Sequence, residues 1–271
     1  MYEERDSLEA WIFVYRDTVR THMISKPLTP SQFRNQLLAV MDQKHHWAWP
    51  QFAGNSISKE QLKIHFQQEY AVYVRDFPVL LARVHGKNPP MEVRQMLAEN
   101  IFEEETGQLS LGTSHPELFL TMMHGLGFRN GAFETMALLP ASRQYRVWLD
   151  QASMNQNWVL GAAVLTIFVE GSIHDRQEIR HPSKAKTARQ MEAHIKRHPL
   201  VRYHGLSPAC MDLSRAHQMV ENGHRHNAYD MVANYTNTRV EQDAILAALQ
   251  KSLRLWLRYR DGIARACQLT P

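Results

Sequence analysis

Apolar residues recur at three- and four-residue intervals along nearly the whole chain, and the alternating β-branched and aromatic runs that mark strands are almost absent. The pattern predicts an all-α fold. Thr29-Pro30-Ser31-Gln32 puts a capping hydroxyl before a proline at the first helical position, with a glutamine three residues on, and Ser58 with Gln61 repeats that logic. The helix opened by Ser58 is expected to run to about Val84, before Gly86 and Pro89-Pro90. The next runs from Met91 to about Glu105 and stops at Gly107, and His115-Pro116 opens another.

From Asn155 to about Ile173 the chain reads as one helix, apolar on almost every face between Val159 and Val169, which is the mark of a central element. A basic, histidine-rich stretch at about 173–204 then reads as an insertion. Ser207-Pro208 restarts a helix expected to last to about Asn234, and Thr238 to Ala266 carries apolar positions at Leu246, Leu249, Leu253, Trp256 and Ile263. The expectation is seven to nine helices in one domain spanning 1–271, with no repeat, low-complexity tract or linker.

With 271 residues, 44% of them apolar, the chain can build one sizeable core. Lys and Arg outnumber Asp and Glu by only 31 to 27, and the excess gathers between Arg176 and Arg202, so nucleic-acid binding is not indicated. Cys210 and Cys267 lie far apart, which supports neither a disulfide framework nor a thiolate zinc site. No signal-peptide pattern or membrane-length apolar run is visible, and a cytoplasmic protein is expected.

Several residues suit metal chemistry. His217, Glu221 and His224 stand at i, i+4 and i+7 of one expected helix, within a stripe about 60° wide, whereas His226 falls on the opposite face. Fifteen histidines produce some such spacings by chance, so the triplet needs company. Glu170 ends the apolar run, where a carboxylate is costly unless a cation, a metal or a proton compensates it. Glu103-Glu104-Glu105 sits at a helix C-terminus, the wrong end of the macrodipole for acids, so at least one of them answers to something cationic. Glu69, four residues after His65, is a weaker candidate, as is Glu104. Iron used with O2 favours oxygen and imidazole donors projected inward from several helices, whereas a zinc hydrolase would leave several of these side chains without a role.

In this order the residues resemble the haem-oxygenase-like diiron oxidases and oxygenases. That family's pattern is a Glu, a His on the next helix, a lone Glu, then His-x-x-x-Asp-x-x-His. The matching positions are Glu105, His115, Glu170 and His217-x-x-x-Glu221-x-x-His224. Phe66-Gln67-Gln68-Glu69-Tyr70 with Phe77-Pro78, the stretch Asn100 to Gly107, and His115-Pro116-Glu117-Leu118-Phe119 extend the likeness to roughly Lys63–Tyr235. Glu221 departs from the family's usual Asp, and the segment between Glu170 and His217 is longer than expected.

The resemblance implies a haem-oxygenase-like helical bundle holding two iron ions, with O2 as co-substrate. Glu105, His115 and His217 would serve chiefly one iron, and Glu170, Glu221 and His224 the other. Outcomes in such a family include N-oxygenation of amines, oxidative C–C cleavage of amino acids, decarboxylation of fatty acids, and conversion of a protein tyrosine to an aminobenzoate. The partners expected are a small-molecule substrate, an external electron donor and a second copy in a homodimer, with no nucleic acid and no membrane. Arg176, Arg180, Lys184, Lys186, Arg189 and Arg202 offer a substrate carboxylate a basic mouth, or simply form a solvated face. Two rivals stay open. One is a metal-independent enzyme of the same fold, thiaminase-like with Cys210 as nucleophile or quinone-cofactor-forming. The other is a non-catalytic helical interaction module. A ferritin-like iron store is disfavoured, since only Glu221 with His224 gives a convincing Glu-x-x-His.

Overall fold

A computed structural model describes residues 26–129, 131–182, 186–220 and 224–271, with the side chain of His224 outside the described set. The chain opens with α1 (Pro30–Met41), α2 (Trp49–Phe52) and α3 (Lys59–Glu69), and α3 runs on as a π-helical turn over Tyr70–Val74. Then follow α4 (Phe77–His85), α5 (Met91–Thr106), α6 (His115–Gly125), α7 (Gly131–Glu134) and α8 (Pro140–Met154). Next, α9 (Trp158–Ala162) continues as a π-helix over Ala163–Val169. After it come α10 (Asp175–Arg180), α11 (Ala188–Arg197), α12 (Pro199–His204), a 3-10 turn over Pro208–Cys210, α13 (Asp212–Val220), α14 (His224–Asn234) and α15 (Arg239–Ala266).

The described elements are all helical, as the periodicity predicts, but they are more numerous than the seven to nine expected. Long apolar patterns turn out to be broken into pieces. The expected helix from Ser58 to Val84 stops at a π turn and restarts at Phe77, because Pro78 in the first turn of α4 cannot donate to a preceding helix. The expected helix from Ser207 to Asn234 becomes a 3-10 turn, α13 and α14, and residues 221–223, with Glu221 among them, lie outside the described set. The capping signatures hold. Thr29, Ser58 and Thr238 each form both bonds of a capping box, and Ser114 accepts from the Glu117 amide at the start of α6.

One continuous core joins these helices. The 28-residue α15 lies along α8 and α1 and buries Ile245, Leu249, Leu253, Trp256 and Ile263. The α9 segment is the central element that its composition predicts, with Ala163, Val164, Leu165, Ile167 and Phe168 fully buried. The basic stretch is tied to the core at a few positions among its described residues: Ile195 and Leu200 join the core, and buried Asp175 accepts from the Tyr229 hydroxyl at 2.8 Å.

The turn after α5 sets the approach of α5 to α6. Gly107 adopts φ 61°, and a Cβ there would lie 2.1 Å from the Thr113 carbonyl oxygen. Gly107→Ala should therefore lose more than the roughly 1–3 kcal/mol of a left-handed non-glycine residue, because backbone must also move. Urea denaturation of the two proteins measures this; equal midpoints would contradict the packing described.

Candidate metal centre

A cavity of about 320 Å³ opens where α5, α6, α13 and the two π-helical segments meet. Its walls include Tyr73 and Val74 from the first π turn, Asn100, Glu103 and Glu104 from α5, His115 from α6, Val169 and Glu170 from the end of the second π segment, and His217 from α13. In both segments the backbone takes the wider i to i+5 bond, Arg75 N to Tyr70 O at 3.0 Å and Glu170 N to Leu165 O at 3.2 Å. Such bulges turn side chains that a regular helix would direct elsewhere. The Lys44 ammonium ties down the end of the second segment by donating to the carbonyls of Phe168 and Gly171, each at 2.6 Å.

His115 is gripped from both sides, by Glu104 at Nδ1 (2.9 Å) and Glu103 at Nε2 (3.2 Å). Glu103 is only 3% exposed and also accepts from the Leu109 amide at 2.8 Å and from the Ser110 hydroxyl. With its oxygens engaged, Glu103 is an anchor, while Glu104 stands beside the cavity. The His217 ring lies edge-on to His115, centroids 5.0 Å apart. Glu170 accepts from Asn100 Nδ2 at 2.8 Å and pairs with Arg225 at 2.5 Å.

Charge is finely held here. Burial alone would lower the His115 pKa, but the hydrogen bonds and charges of Glu104 and Glu103 outweigh it and the net shift is upward. Burial, reinforced by neighbouring His115, takes His217 down to about 4. Its ring is therefore neutral at pH 7, with a lone pair open to a cation. Burial raises the Glu170 carboxyl, and Arg225 and Asn100 offset only part of that.

Of the residues singled out from sequence, His115, Glu170, His217 and the weaker candidate Glu104 meet at this cavity. Glu105 does not: it lies on the exposed face of α5, about 100° of helical rotation from Glu104. Glu221 and the His224 side chain lie outside the described residues. Glu69 turns away to Arg260 at 2.6 Å and to the Tyr73 hydroxyl at 2.9 Å. None of Arg176, Arg180, Lys186, Arg189 and Arg202 lines the cavity, and neither does Cys210, while Lys184 lies outside the described residues. Sequence reasoning weighed Tyr73 as a cavity-lining hydrogen-bond donor but left it out of the site, and it gave Asn100 and Arg225 no role. The first two carried a signal: Asn100, Glu103 and Glu104 share an i, i+3, i+4 face, and Tyr73 follows Glu69 by four.

The donors are oxygen and imidazole, the set that suits iron. Among the described residues, no three His, Cys, Asp or Glu side chains are yet drawn around one point. The reason is visible: Glu103 and Glu104 are spent on His115, and Glu170 on Arg225.

The sequence profile of a family described as iron-containing redox enzymes matches residues 64–257. The chain belongs to that family. Two curated relatives, both 4-aminobenzoate synthases, are similar in part. The protein of Chlamydia muridarum is 27% identical over 105 residues, 38% of this chain and 42% of its own length. That of Chlamydia trachomatis is 26% identical over 98 residues, 35% and 40% respectively. The match thus spans less than half the length of these relatives. Among solved structures, a domain of unknown function with a haem-oxygenase-like fold from Shewanella denitrificans aligns with TM-score 0.55 and 16% identity, over 99% of this chain and 95% of that one. A TenA homologue from Pseudomonas syringae aligns with TM-score 0.59 and 14% identity, over 87% and 92%. Both likenesses establish the haem-oxygenase-like fold.

In metal-free protein the two histidines should titrate in opposite senses. The raised folded pKa of His115 means that its stabilisation is complete below the unfolded value of about 6.5 and is lost as pH climbs through the folded value. For His217, with a folded value of about 4, stability falls as pH drops below the unfolded value of about 6.5. Imidazole NMR titration separates them, and coincident midpoints would refute the environments described.

Proposed function

We propose that this chain is a non-haem diiron oxidoreductase that uses O2 to oxidise a small organic substrate. The observation that carries the reading is the meeting of Glu104, His115 and His217, from three different helices, at one cavity. Family membership supports iron and redox chemistry. The reading adds two iron ions, O2 as co-substrate and an external electron donor.

Glu104, His115, His217 and Glu170 would hold the metal, with Glu221 and His224 completing the set expected from sequence. Bound iron supplies the electrons that reduce O2 and the oxidising power turned on the substrate. The chain's own residues do the rest. Glu103, fixed by Leu109 and Ser110, keeps the His115 ring oriented through its second nitrogen, the usual arrangement behind a ligating histidine. Arg225 supplies the positive charge that Glu170 requires in this structure, a role a metal cation would take over as Arg225 withdraws. Val74, Phe77, Val169, Leu213 and Val220 give the cavity apolar walls that exclude water from reactive species.

The substrate classes that fit this reading are amines, amino acids and fatty acids, with N-oxygenation, oxidative C–C cleavage or decarboxylation as the reaction. The name of the chlamydial relatives adds aromatic amine chemistry to that range.

Anaerobic titration of the full chain with Fe(II) should reach about two equivalents. Glu104→Ala and His217→Ala should each lose at least one, whereas Glu105→Ala should keep both. Glu103→Gln should bind iron about 10–100-fold more weakly without changing the count. Full stoichiometry in both Glu104→Ala and His217→Ala would overturn this assignment.

A further inference from the structure

An outer cavity, of about 280 Å³, adjoins the first where α5, α14 and the end of the second π-helical segment meet. Asn100 and Glu170 line both cavities. The polar lining of the outer one consists of acids, amides and a hydroxyl, and among the described residues no Lys, Arg or His contributes to it. Glu99 and Asn227 are exposed and mark its mouth, whereas Asn100 and Glu170 are half-buried and stand at its inner end. Oxygen atoms able to replace water around an ion are therefore present at both ends.

Met96, Leu97, Ala228 and Met231 supply the apolar part of the wall. A cleft that combines one sign of charge with apolar walls focuses its field, and speeds the arrival of the opposite ion by roughly 10–1,000-fold. The first cavity offers a cation a worse approach. The Arg225 guanidinium stands in it, and Val74, Phe77, Leu213 and Val220 give the approach no oxygen donor from a side chain. A divalent ion gives up its water only where other oxygens take its place, because an uncompensated charge is costly to bury. Glu170 is what the two cavities have in common chemically: its Oε1 accepts from Asn100 and its Oε2 pairs with Arg225. The carboxylate that an ion meets at the inner end of the outer cavity is thus the one assigned to the metal in the first.

We propose that the outer cavity is the route by which a divalent metal ion enters and leaves the centre, drawn in at the mouth by Glu99 and handed across by Glu170; the route rests on the reading of the first cavity as a metal centre. Glu99 and Asn227 act on the path and not at its end, so they govern how fast the ion moves and not how tightly it is held.

Stopped-flow mixing of the full metal-free chain with Co(II), whose visible absorption rises as carboxylate and imidazole coordinate it, reads the uptake rate, and excess EDTA then reads release. Asn227→Trp sets a ring at the exposed mouth. It should slow uptake and release alike by about tenfold or more and leave the dissociation constant within about threefold, because an obstacle on a path raises the barrier in both directions. Glu99→Lys should slow uptake about tenfold at low salt, with the gap narrowing at about 0.5 M salt. That variant changes an exposed side chain on α5 and keeps the test decisive if Asn227→Trp loses helical circular dichroism. Wild-type rates in either folded variant, or weaker equilibrium binding in Asn227→Trp without slower uptake, would overturn the route alone. A wild type that takes up neither Co(II) nor Fe(II) would overturn it together with the iron reading.

Discussion

The structure around the first cavity turns on how carboxylates are neutralised inside a helical core. Glu103 is buried and Glu104 and Glu170 are largely withdrawn from water, and each finds positive charge or hydrogen-bond donors there. His115 serves two of them at once, and Arg225 with Asn100 serves the third. Between them stands His217, kept neutral by its burial. An iron-binding reading follows from this balance: a multivalent cation relieves every member of the set, whereas the protein's own cations satisfy it only in pairs.

The helices around the cavity depart from regularity where the chemistry gathers. The end of α3 and the whole second half of the α9 segment widen into π-helix, and Tyr73, Val74, Val169 and Glu170 enter the cavity from these stretches. A widened turn sacrifices ideal hydrogen-bond geometry to re-aim side chains. Leu165 and Phe168, within the second of these stretches, are fully buried in the core. Membership in the iron-containing redox enzymes agrees with a local design of this kind.

Two cavities with opposite characters share one partition. The first is ringed by acids and histidines; the other, lined by Trp49, Phe52, Phe66 and Leu200, is largely aromatic. Tyr73, Glu69 and Arg260 lie between them as a buried hydrogen-bonded cluster, in which burial would raise the Glu69 carboxyl but Arg260, His65 and Tyr73 together bring it below its ordinary value.

The local part of this architecture was legible in the chain itself. Capping at Thr29, Ser58 and Thr238, the stop at Gly107 and the central character of residues 159–169 depend on neighbours within a turn or two, and periodicity reports them directly. The residue types that gather at the first cavity were also visible, because acids at a helix C-terminus and after an apolar run already demand a partner. Which acid turns inward was not. Glu104 and Glu105 differ by a single residue, and only the packing of α5 against α4 and α6 chooses the face. The same holds for Arg225 meeting Glu170, Glu69 meeting Arg260, and His198 to Leu200 closing over His65. Each joins segments far apart in the chain, and a pattern that repeats every few residues contains no information about such distances.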